Sequence, residues 1–294
     1  MTRSFGSSAI AQRGNNISLS NLHIVNAFSS VQIFKNTELR LDGVYQTISS
    51  ASPDFKIDYK IDGITNNEVT DSHIALSLLM RPGVKYSLNG IDRYEHSSLS
   101  PTILLKYTKG LNGVIDSGYE YDKVQFYYSH PILIGSVGKL DLSFEAGKIF
   151  QRAPLSLLSA IPGNQSLSIV PNVFSQLNYY EFVTDTYSTL TLDHHFNGRI
   201  FGFIPLIKKL KLREVAFFRT AWGSISDRNK EINASTIQYS APDKDLYYEY
   251  GFGIENIGIG NFRLLRLDFN WRGNYLDKPD ISKFGIKFGF GLRF

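Results

Sequence analysis

The C-terminal part of the chain alternates strictly between apolar and small or cationic side chains. From Phe284 to Phe294 every even-numbered residue is apolar, and the odd-numbered residues between them are glycine, lysine or arginine. Successive side chains of a β-strand point to opposite faces of the sheet, so residues 282–294 are predicted to form a strand with one wholly apolar face. Such a chain must cover this face with protein or turn it toward lipid.

The same period recurs upstream and predicts an all-β protein. Residues 246–255 and 265–272 show it clearly, and the segment at 83–89 shows it least. Strands of roughly 10 residues suit a tilted crossing of a bilayer, whereas soluble sheets usually have strands of five or six. Besides the C-terminal strand, the pattern predicts strands near 17–27, 37–48, 54–62, 71–80, 83–89, 101–109, 118–130, 137–149, 185–196, 212–225, 245–256 and 262–274.

Two β architectures fit this pattern, and they differ in which face meets water. In a soluble sandwich, Arg266, Asp268 and Arg272 would lie outside in water. In a transmembrane antiparallel up-and-down barrel the apolar face contacts lipid and the same charges line a wet lumen. Leaving out the weak segment at 83–89 gives an even count of about 12 strands.

Aromatic residues and loop lengths favour the barrel. Aromatic residues make up 14% of the chain. They crowd the predicted strand ends, as in an interfacial girdle, although ordinary β-propensity also enriches them there. Long connections at 150–184 and 226–244 contrast with short ones at 131–138 and 256–261, with exceptions at 81–100 and 197–211. The girdle would contain Tyr119, Tyr121, Tyr127, Tyr128, Tyr179, Tyr180, Tyr247, Tyr248, Tyr275 and Phe294.

Composition excludes several other classes. No apolar run approaches the roughly 20 residues of a membrane-spanning helix. The first residues lack the apolar core of a secretory signal, so an exported chain would be a mature or truncated form. With no cysteine there is no disulfide, thiolate metal site or cysteine nucleophile. The net charge of +4 contains no block of like charges, so no nucleic-acid partner is predicted.

One cluster, Asp193-His194-His195, has catalytic or metal-binding character. On a strand the two histidines point to opposite faces and cannot share a metal, whereas Asp193 and His195 could line the lumen together. Ser188 and His194 share a face but lie six residues apart, too far for direct contact at about 3.3 Å per residue. We therefore predict no catalytic residue, no metal site, no cofactor and no enzymatic activity.

A basic stretch lies between two predicted strands. Lys208, Lys209, Lys211 and Arg213 follow a run of apolar residues. This pattern is typical of an amphipathic turn at a membrane surface, and a solvated charged face fits it equally well.

The C-terminal strand resembles the signal that the bacterial outer-membrane barrel assembly machinery reads, and its signal residues would be Phe284, Phe288, Phe290 and Phe294. From about residue 100 onward, the order of parts is similar to the BamA- and TamA-type assembly-factor superfamily, also called the bacterial surface antigen family. That superfamily has a very long loop after the fifth strand from the end, here residues 150–184.

Several stretches look like a subgroup of Bacteroidota outer-membrane barrels of unknown function that often carries an N-terminal carboxypeptidase-regulatory-like β-sandwich. These stretches are residues 154–167, 179–183, 194–198 and 204–214. The resemblance implies a sixteen-stranded barrel, so residues 1–294 would be one barrel domain whose first strands and periplasmic domain are missing. Four strands would precede Ile17, and this chain expressed alone would not close.

The chain departs from the superfamily where the long loop should meet the barrel. The superfamily has an Arg-Gly tip on the loop and an Asp in a Phe-x-Asp-x-Gly motif on a late strand. Here the loop reads Tyr179-Tyr180-Glu181-Phe182, and Thr220 follows Arg219 near the Asp position. Losing both charges together is physically coherent, because a buried charge without its mate is costly. Glu181 and Arg219 would form a reversed pair, or would not touch. The expected loop and lumen contacts are Gly163, Asn164, Tyr179, Tyr180, Glu181, Arg219 and Thr220.

The resemblance implies an outer-membrane barrel of a Gram-negative bacterium whose long loop occludes the lumen. Its role would be protein or lipid insertion, secretion, translocation or surface transport. Its partners would be outer-membrane lipid, the barrel assembly machinery and a periplasmic or surface protein client. A simple diffusion pore or structural barrel is the alternative, and an outer-membrane hydrolase is the third. Because the long loop is apolar, we expect it to fold toward the lumen or across its mouth.

Overall fold

The computed structural model describes residues 20–52, 57–61, 63–90, 92–96, 99–233, 240–260, 262–278 and 280–290. Eleven strands form one antiparallel sheet in the order in which they occur along the chain. They are β1 (Ser20–Phe34), β2 (Thr37–Ser50), β5 (Glu68–Met80), β8 (Thr102–Gly110), β9 (Asp122–Leu133), β10 (Lys139–Ile149), β13 (Thr186–His195), β14 (Arg213–Ser224), β15 (Tyr247–Ile259), β16 (Phe262–Arg272) and β17 (Phe284–Phe290).

The remaining regular elements are short and lie in the connections. Three small hairpins are β3 (Tyr59–Ile61) with β4 (Ile64–Asn66), β6 (Tyr86–Asn89) with β7 (Asp92–Glu95), and β11 (Ser159–Ala160) with β12 (Val183–Thr184). The helices are α1 (Pro205–Lys208) and α2 (Asp227–Ile232), with 3₁₀ turns at Gly135–Val137, Leu155–Leu157 and Phe201–Phe203. Among the described residues, no helix combines the length and apolar character needed to cross a membrane.

The up-and-down order sorts the connections onto two ends of the sheet. One end, here called the loop end, carries the connections 51–67, 111–121, 150–185, 225–246 and 273–283. The opposite end, called the turn end, carries 35–36, 81–101, 134–138, 196–212 and 260–261. The two longest predicted loops therefore share one end, as an up-and-down barrel requires. The predicted all-β, antiparallel barrel class is confirmed.

Two predicted strands are wrong as crossings of the sheet. Within 54–62 and 83–89, the described segments form the hairpins β3–β4 and β6–β7 instead. Gly63 and Gly90 lie between the paired strands with φ of +81° and +63°, a conformation that favours glycine and reverses the chain tightly. Alternation is the same in a hairpin and in a crossing strand, so the period alone did not separate them. Without these two segments, the predicted strands number eleven, as observed.

The faces of the sheet are inverted relative to a soluble protein. In β17, Lys287 is 3% exposed, whereas the adjacent Phe288 is 54% exposed. Asp268, Asn270 and Arg272 of β16 are likewise buried between exposed or half-buried apolar neighbours. Charged side chains on the interior face and apolar ones on the outer face are the arrangement of a membrane barrel. The predicted orientation of the C-terminal strand is thus confirmed for 284–290, while Leu292 and Phe294 lie outside the described residues.

Aromatic residues occupy both faces, which corrects the girdle prediction. On the outer face, Tyr250, Phe252 and Trp271 stack with ring centroids 5.7–6.1 Å apart, and Phe284 follows Trp271 at 4.9 Å. Four of the predicted girdle tyrosines are instead buried: Tyr119, Tyr121, Tyr179 and Tyr247. Tyr119 and Tyr121 pack in one buried cluster with residues of the loop-end connections, and Tyr247 packs in another.

The first and last strands of the sheet have one neighbour each. Across the described ranges, no ladder joins β1 to β17, and β1 is exposed from Asn21 to Phe34. The expectation that this chain does not close alone stays a prediction.

Candidate functional site: a long loop seated on the interior face

Residues 150–185, here called the plug loop, pack on the interior face at the loop end of the sheet. The apolar side chains Leu155, Ile161, Phe174, Leu177 and Phe182 are buried in two clusters with residues of the sheet and neighbouring connections. Most of the plug loop has no regular structure, so its backbone N–H and C=O groups need other partners. Several of these partners are buried charged side chains on the sheet.

Glu249 of β15 holds the middle of the plug loop. Its carboxylate, 0% exposed, accepts hydrogen bonds from the backbone N–H groups of Ser175 and Gln176 at 2.7 and 2.9 Å. The hydroxyl of Tyr247 donates a third at 2.6 Å. An inward-facing glycine, Gly285 of β17, leaves room for the loop, because a Cβ on this residue would lie only 2.7 Å from Nε2 of Gln176. Three donors on one carboxylate offset the cost of burying its charge.

Lys287 of β17 holds the preceding part of the plug loop by its carbonyl groups. Its ammonium donates to the backbone oxygens of Asn164, at 2.9 Å, and Ser166. The loop also pairs with the outer edge of β17, because Phe288 donates to Leu167 O at 2.8 Å and accepts from Ile169 N–H at 2.7 Å. The segment Leu167–Ile169 therefore covers part of the strand edge that faces away from β16.

Arg272 of β16 forms an ion pair with Glu181, near the C-terminal end of the plug loop. Its Nη2 lies 2.7 Å from Oε1 of Glu181, and both side chains are nearly inaccessible to solvent. Of the two alternatives for Glu181 and Arg219, no reversed pair forms, since no hydrogen bond or ion pair joins these residues in the described ranges. Arg219 instead donates to Ser175 Oγ at 3.2 Å and lies 3.5 Å from Asp193. A loop carboxylate and an inward strand arginine do meet, on β16 instead of β14.

The start of the plug loop is fastened to the neighbouring connection that contains α2. The side chain of Asn229 accepts from Ala153 N–H at 2.9 Å and donates to Asp185 at 2.9 Å. Asn233 accepts from Leu155 N–H at 2.6 Å. Burial alone would raise the pKa of Asp185, but hydrogen bonds from Ser226, Asn229 and Thr186 outweigh it and hold that pKa below its usual range.

The structure places the predicted loop residues in the plug loop and its surroundings, without testing their roles. A Cβ on Gly163 would lie 2.5 Å from the carbonyl oxygen of Leu177, so only glycine fits this close approach. Asn164 closes a turn through its side chain, which binds Ser166 and Ser168. Tyr179 is buried, and burial raises the pKa of Tyr180.

The last predicted contact, Thr220, donates to the carbonyl oxygen of Tyr247 on the adjacent strand at 2.9 Å. It does not contact the plug loop through any hydrogen bond found among the described residues. The outward positions of Phe284, Phe288 and Phe290 fit a terminal strand that faces lipid, and their role as an insertion signal remains a prediction, as does that of Phe294.

Sequence reasoning missed the two strongest anchors, Glu249 and Lys287. Alternation assigned both side chains to the interior face, and the presence of a charge there was the available signal. Their partners are backbone atoms of the plug loop, and the amino-acid type of a loop residue does not predict a contact to its backbone.

The interior charges toward the turn end pair with one another. His195 lies 2.9 Å from Glu255 and 3.3 Å from Asp141, and Arg266 binds Asp268 at 2.7 Å. His194, on the opposite face, contacts the carbonyl oxygen of Val137. In the ranges described above, no group of three or more histidine, aspartate or glutamate side chains is arranged to hold a metal ion.

The model of the C-terminal domain of a family of unknown function (DUF5686) matches residues 25–236. The chain belongs to this family. None of the curated proteins matches the chain in sequence.

Two solved structures were found to be similar to the chain, and only the first has a TM-score above 0.5. BamA from Haemophilus ducreyi, in a form lacking POTRA domains 1-3, has a TM-score of 0.52 at 10% identity, covering 94% of this chain and 57% of that one. OccK11 (OpdR) of Pseudomonas aeruginosa has a TM-score of 0.33 at 9% identity, covering 96% of this chain and 71% of that one. The chain spans little more than half the length of the BamA structure. At this identity the first likeness shows the outer-membrane barrel fold and nothing finer.

Proposed function

We propose that this chain is the membrane domain of a Gram-negative outer-membrane protein in which the plug loop occludes the barrel. Its activity is the insertion, secretion or surface transport of protein or lipid. The inverted faces of the sheet and the likeness to the BamA barrel support the membrane location. The stretches within the plug loop support kinship with the surface antigen superfamily and its Bacteroidota subgroup.

The seating of the plug loop is the observation that carries this proposal. Glu249, Lys287 and Arg272 come from three neighbouring strands, and each is buried against loop atoms that it binds. Removing the loop would take away the two backbone donors of Glu249, the two carbonyl acceptors of Lys287 and the carboxylate partner of Arg272, which is costly in a closed interior and tolerable in water. A loop held this way occludes the interior at rest, and its departure would have to be coupled to entry of water or of a client.

The same proposal assigns no enzymatic activity to the barrel. The sequence offers no nucleophile with a neighbouring base, since Ser188 and His194 are six residues apart along β13. The partners proposed are outer-membrane lipid, the barrel assembly machinery and a periplasmic or surface protein client.

Ion conductance in planar bilayers, measured on protein assembled in and extracted from outer membranes, tests the plug directly. Residues 161–182 would be replaced by Gly-Gly, which suits the turn that joins the paired strands β11 and β12. We expect low conductance in the unmodified protein and a several-fold increase in the deletion variant. A control variant would shorten the 112–117 turn on the same end and should leave conductance unchanged. A high, steady conductance before deletion would favour the simple diffusion pore.

A second measurement separates transport from a structural role. Purified protein in liposomes would be mixed with an unfolded outer-membrane protein, and the client's folding would be followed by its resistance to protease. Faster folding than in empty liposomes supports insertion activity. Equal folding rates, together with unchanged secretion and surface transport in cells lacking the gene, would favour a structural barrel.

A further inference from the structure

The turn end of the sheet carries an unusual connection between β13 and β14. Residues 196–212 contain four basic residues and no acidic one. Since the whole chain has a formal net charge of +4, all other residues together carry no net charge. The net positive charge of the protein is therefore concentrated in a single connection, and its segment 199–211, which contains all four basic residues, is here called the basic turn.

Apolar side chains of the basic turn are exposed beside these charges. Phe203 is 80% exposed and Leu206 is 78% exposed. Lys208, Lys209 and Lys211 are also exposed, and no ion pair links them to any residue of the described ranges. Exposure of large apolar side chains to water is unfavourable, whereas a connection at a membrane interface buries such side chains among the lipids.

The basic turn is held by the turn before β10 and by the turn-end tips of β15 and β16. Arg199 donates to the carbonyl oxygen and the hydroxyl of Ser136, at 2.7 and 2.6 Å, in the turn before β10. Asn256 donates to Lys211 O at 2.6 Å, and Arg263 donates to Leu210 O. Glu214, the nearest acidic residue, is buried and accepts from Ile200 N–H at 2.6 Å. The exposed side chains are thus presented by a fixed backbone.

The lipid-facing surface continues into this connection. Ile259 and Phe262, at the adjoining turn-end tips of β15 and β16, are also exposed. A segment that begins where membrane strands end lies at headgroup depth, where lysines meet lipid phosphates and apolar side chains meet acyl chains. In the orientation typical of outer-membrane barrels, short turns face the periplasm.

We propose that the basic turn binds anionic phospholipid headgroups of the periplasmic leaflet. Lys208, Lys209 and Lys211 contact the phosphates, and Phe203 and Leu206 insert among the acyl chains. This proposal rests on the outer-membrane location proposed above, and it adds a lipid preference that occlusion by the plug loop does not require.

Native mass spectrometry of the full chain, extracted in mild detergent from outer membranes, tests the lipid preference. The protein would be equilibrated with equal amounts of phosphatidylglycerol and phosphatidylcholine before the retained lipids are counted. We expect phosphatidylglycerol to be enriched, and the enrichment to fall about threefold or more in the variant K208Q/K209Q/K211Q. The matched control K60Q/K230Q/K244Q removes three exposed lysines at the loop end and should retain the enrichment.

A fluorescence measurement tests the apolar contact separately. Phe203→Trp, in a chain whose Trp222 and Trp271 are replaced by phenylalanine, should be quenched by lipids brominated on the acyl chain. No quenching would overturn the insertion of Phe203.

Three other results would overturn the lipid proposal. One is an equal lipid ratio in the lysine variant and the unmodified protein. Another is displacement of the anionic lipid by inorganic phosphate alone, which would indicate a free phosphate site. The third is a dimer that the lysine variant abolishes, which would indicate a second copy as the occupant. Absence of the protein from the outer-membrane fraction would instead refute the location on which both proposals rest.

Discussion

Replacing Glu249 by glutamine should loosen the middle of the plug loop while leaving the sheet intact. The carboxylate accepts from two loop N–H groups and from Tyr247 at 2.6–2.9 Å. A glutamine amide keeps one acceptor oxygen and turns its NH₂ group toward one of the donors. Losing one charge-assisted hydrogen bond and weakening another costs about 2–4 kcal/mol of loop docking, at roughly 1.5–3 kcal/mol per such bond.

Hydrogen exchange measures this loss at the affected amides. A cost of about 2–4 kcal/mol corresponds to roughly 30- to 1000-fold faster exchange at the N–H groups of Ser175 and Gln176. Glu120→Gln is the matched control, because Glu120 lies at the loop end and its one ion pair within the described residues is an exposed salt bridge to Lys109, worth about 0–1 kcal/mol. If Glu249→Gln changed exchange no more than Glu120→Gln does, Glu249 would not anchor the loop.

Three further predictions concern the other contacts of the plug loop. In a double-mutant cycle, Arg272→Met and Glu181→Gln should each lower the free energy of unfolding by about 3–5 kcal/mol, and the double variant should lower it by clearly less than their sum. Unfolding in detergent measures these free energies. Additive effects would show that the two side chains do not interact. The hydrogen bonds that lower the pKa of Asp185 stabilise the fold above its unfolded value of about 4, and this stability is lost as pH falls through the lowered pKa. Protease should therefore cut the α2 connection faster below about pH 4, and Asp185→Asn should weaken that dependence; an unchanged pH profile would contradict it. Gly163→Ala should lower the free energy of loop docking by about 1–3 kcal/mol, because the new Cβ would clash with backbone atoms, and the plug-loop amides should exchange faster. A Cβ on Gly118 would meet no atom within 4 Å, so Gly118→Ala should leave the exchange of these amides unchanged.

The sheet was largely predictable because alternation is a local property. It assigned Glu249, Arg272 and Lys287 to the interior face from neighbouring residues alone. It did not distinguish a hairpin from a crossing strand at 54–62, where Gly63 is the overlooked signal. The partner of Glu181 also escaped, because Arg219 and Arg272 are both inward-facing arginines and the path of a long loop chooses between them.

A reversible lock on the plug loop tests the central claim, that this loop closes the barrel, most directly. Ser168 and Phe288 are bridge partners, and the chain contains no cysteine that could interfere. A disulfide between cysteines at these two positions would tie the loop to β17, at a spacing that bridged strands allow. In a planar bilayer, Glu249→Gln with the lock oxidised should stay closed, and reduction should raise its conductance several-fold. Equal conductance before and after reduction, at the level of an open pore, would contradict the account.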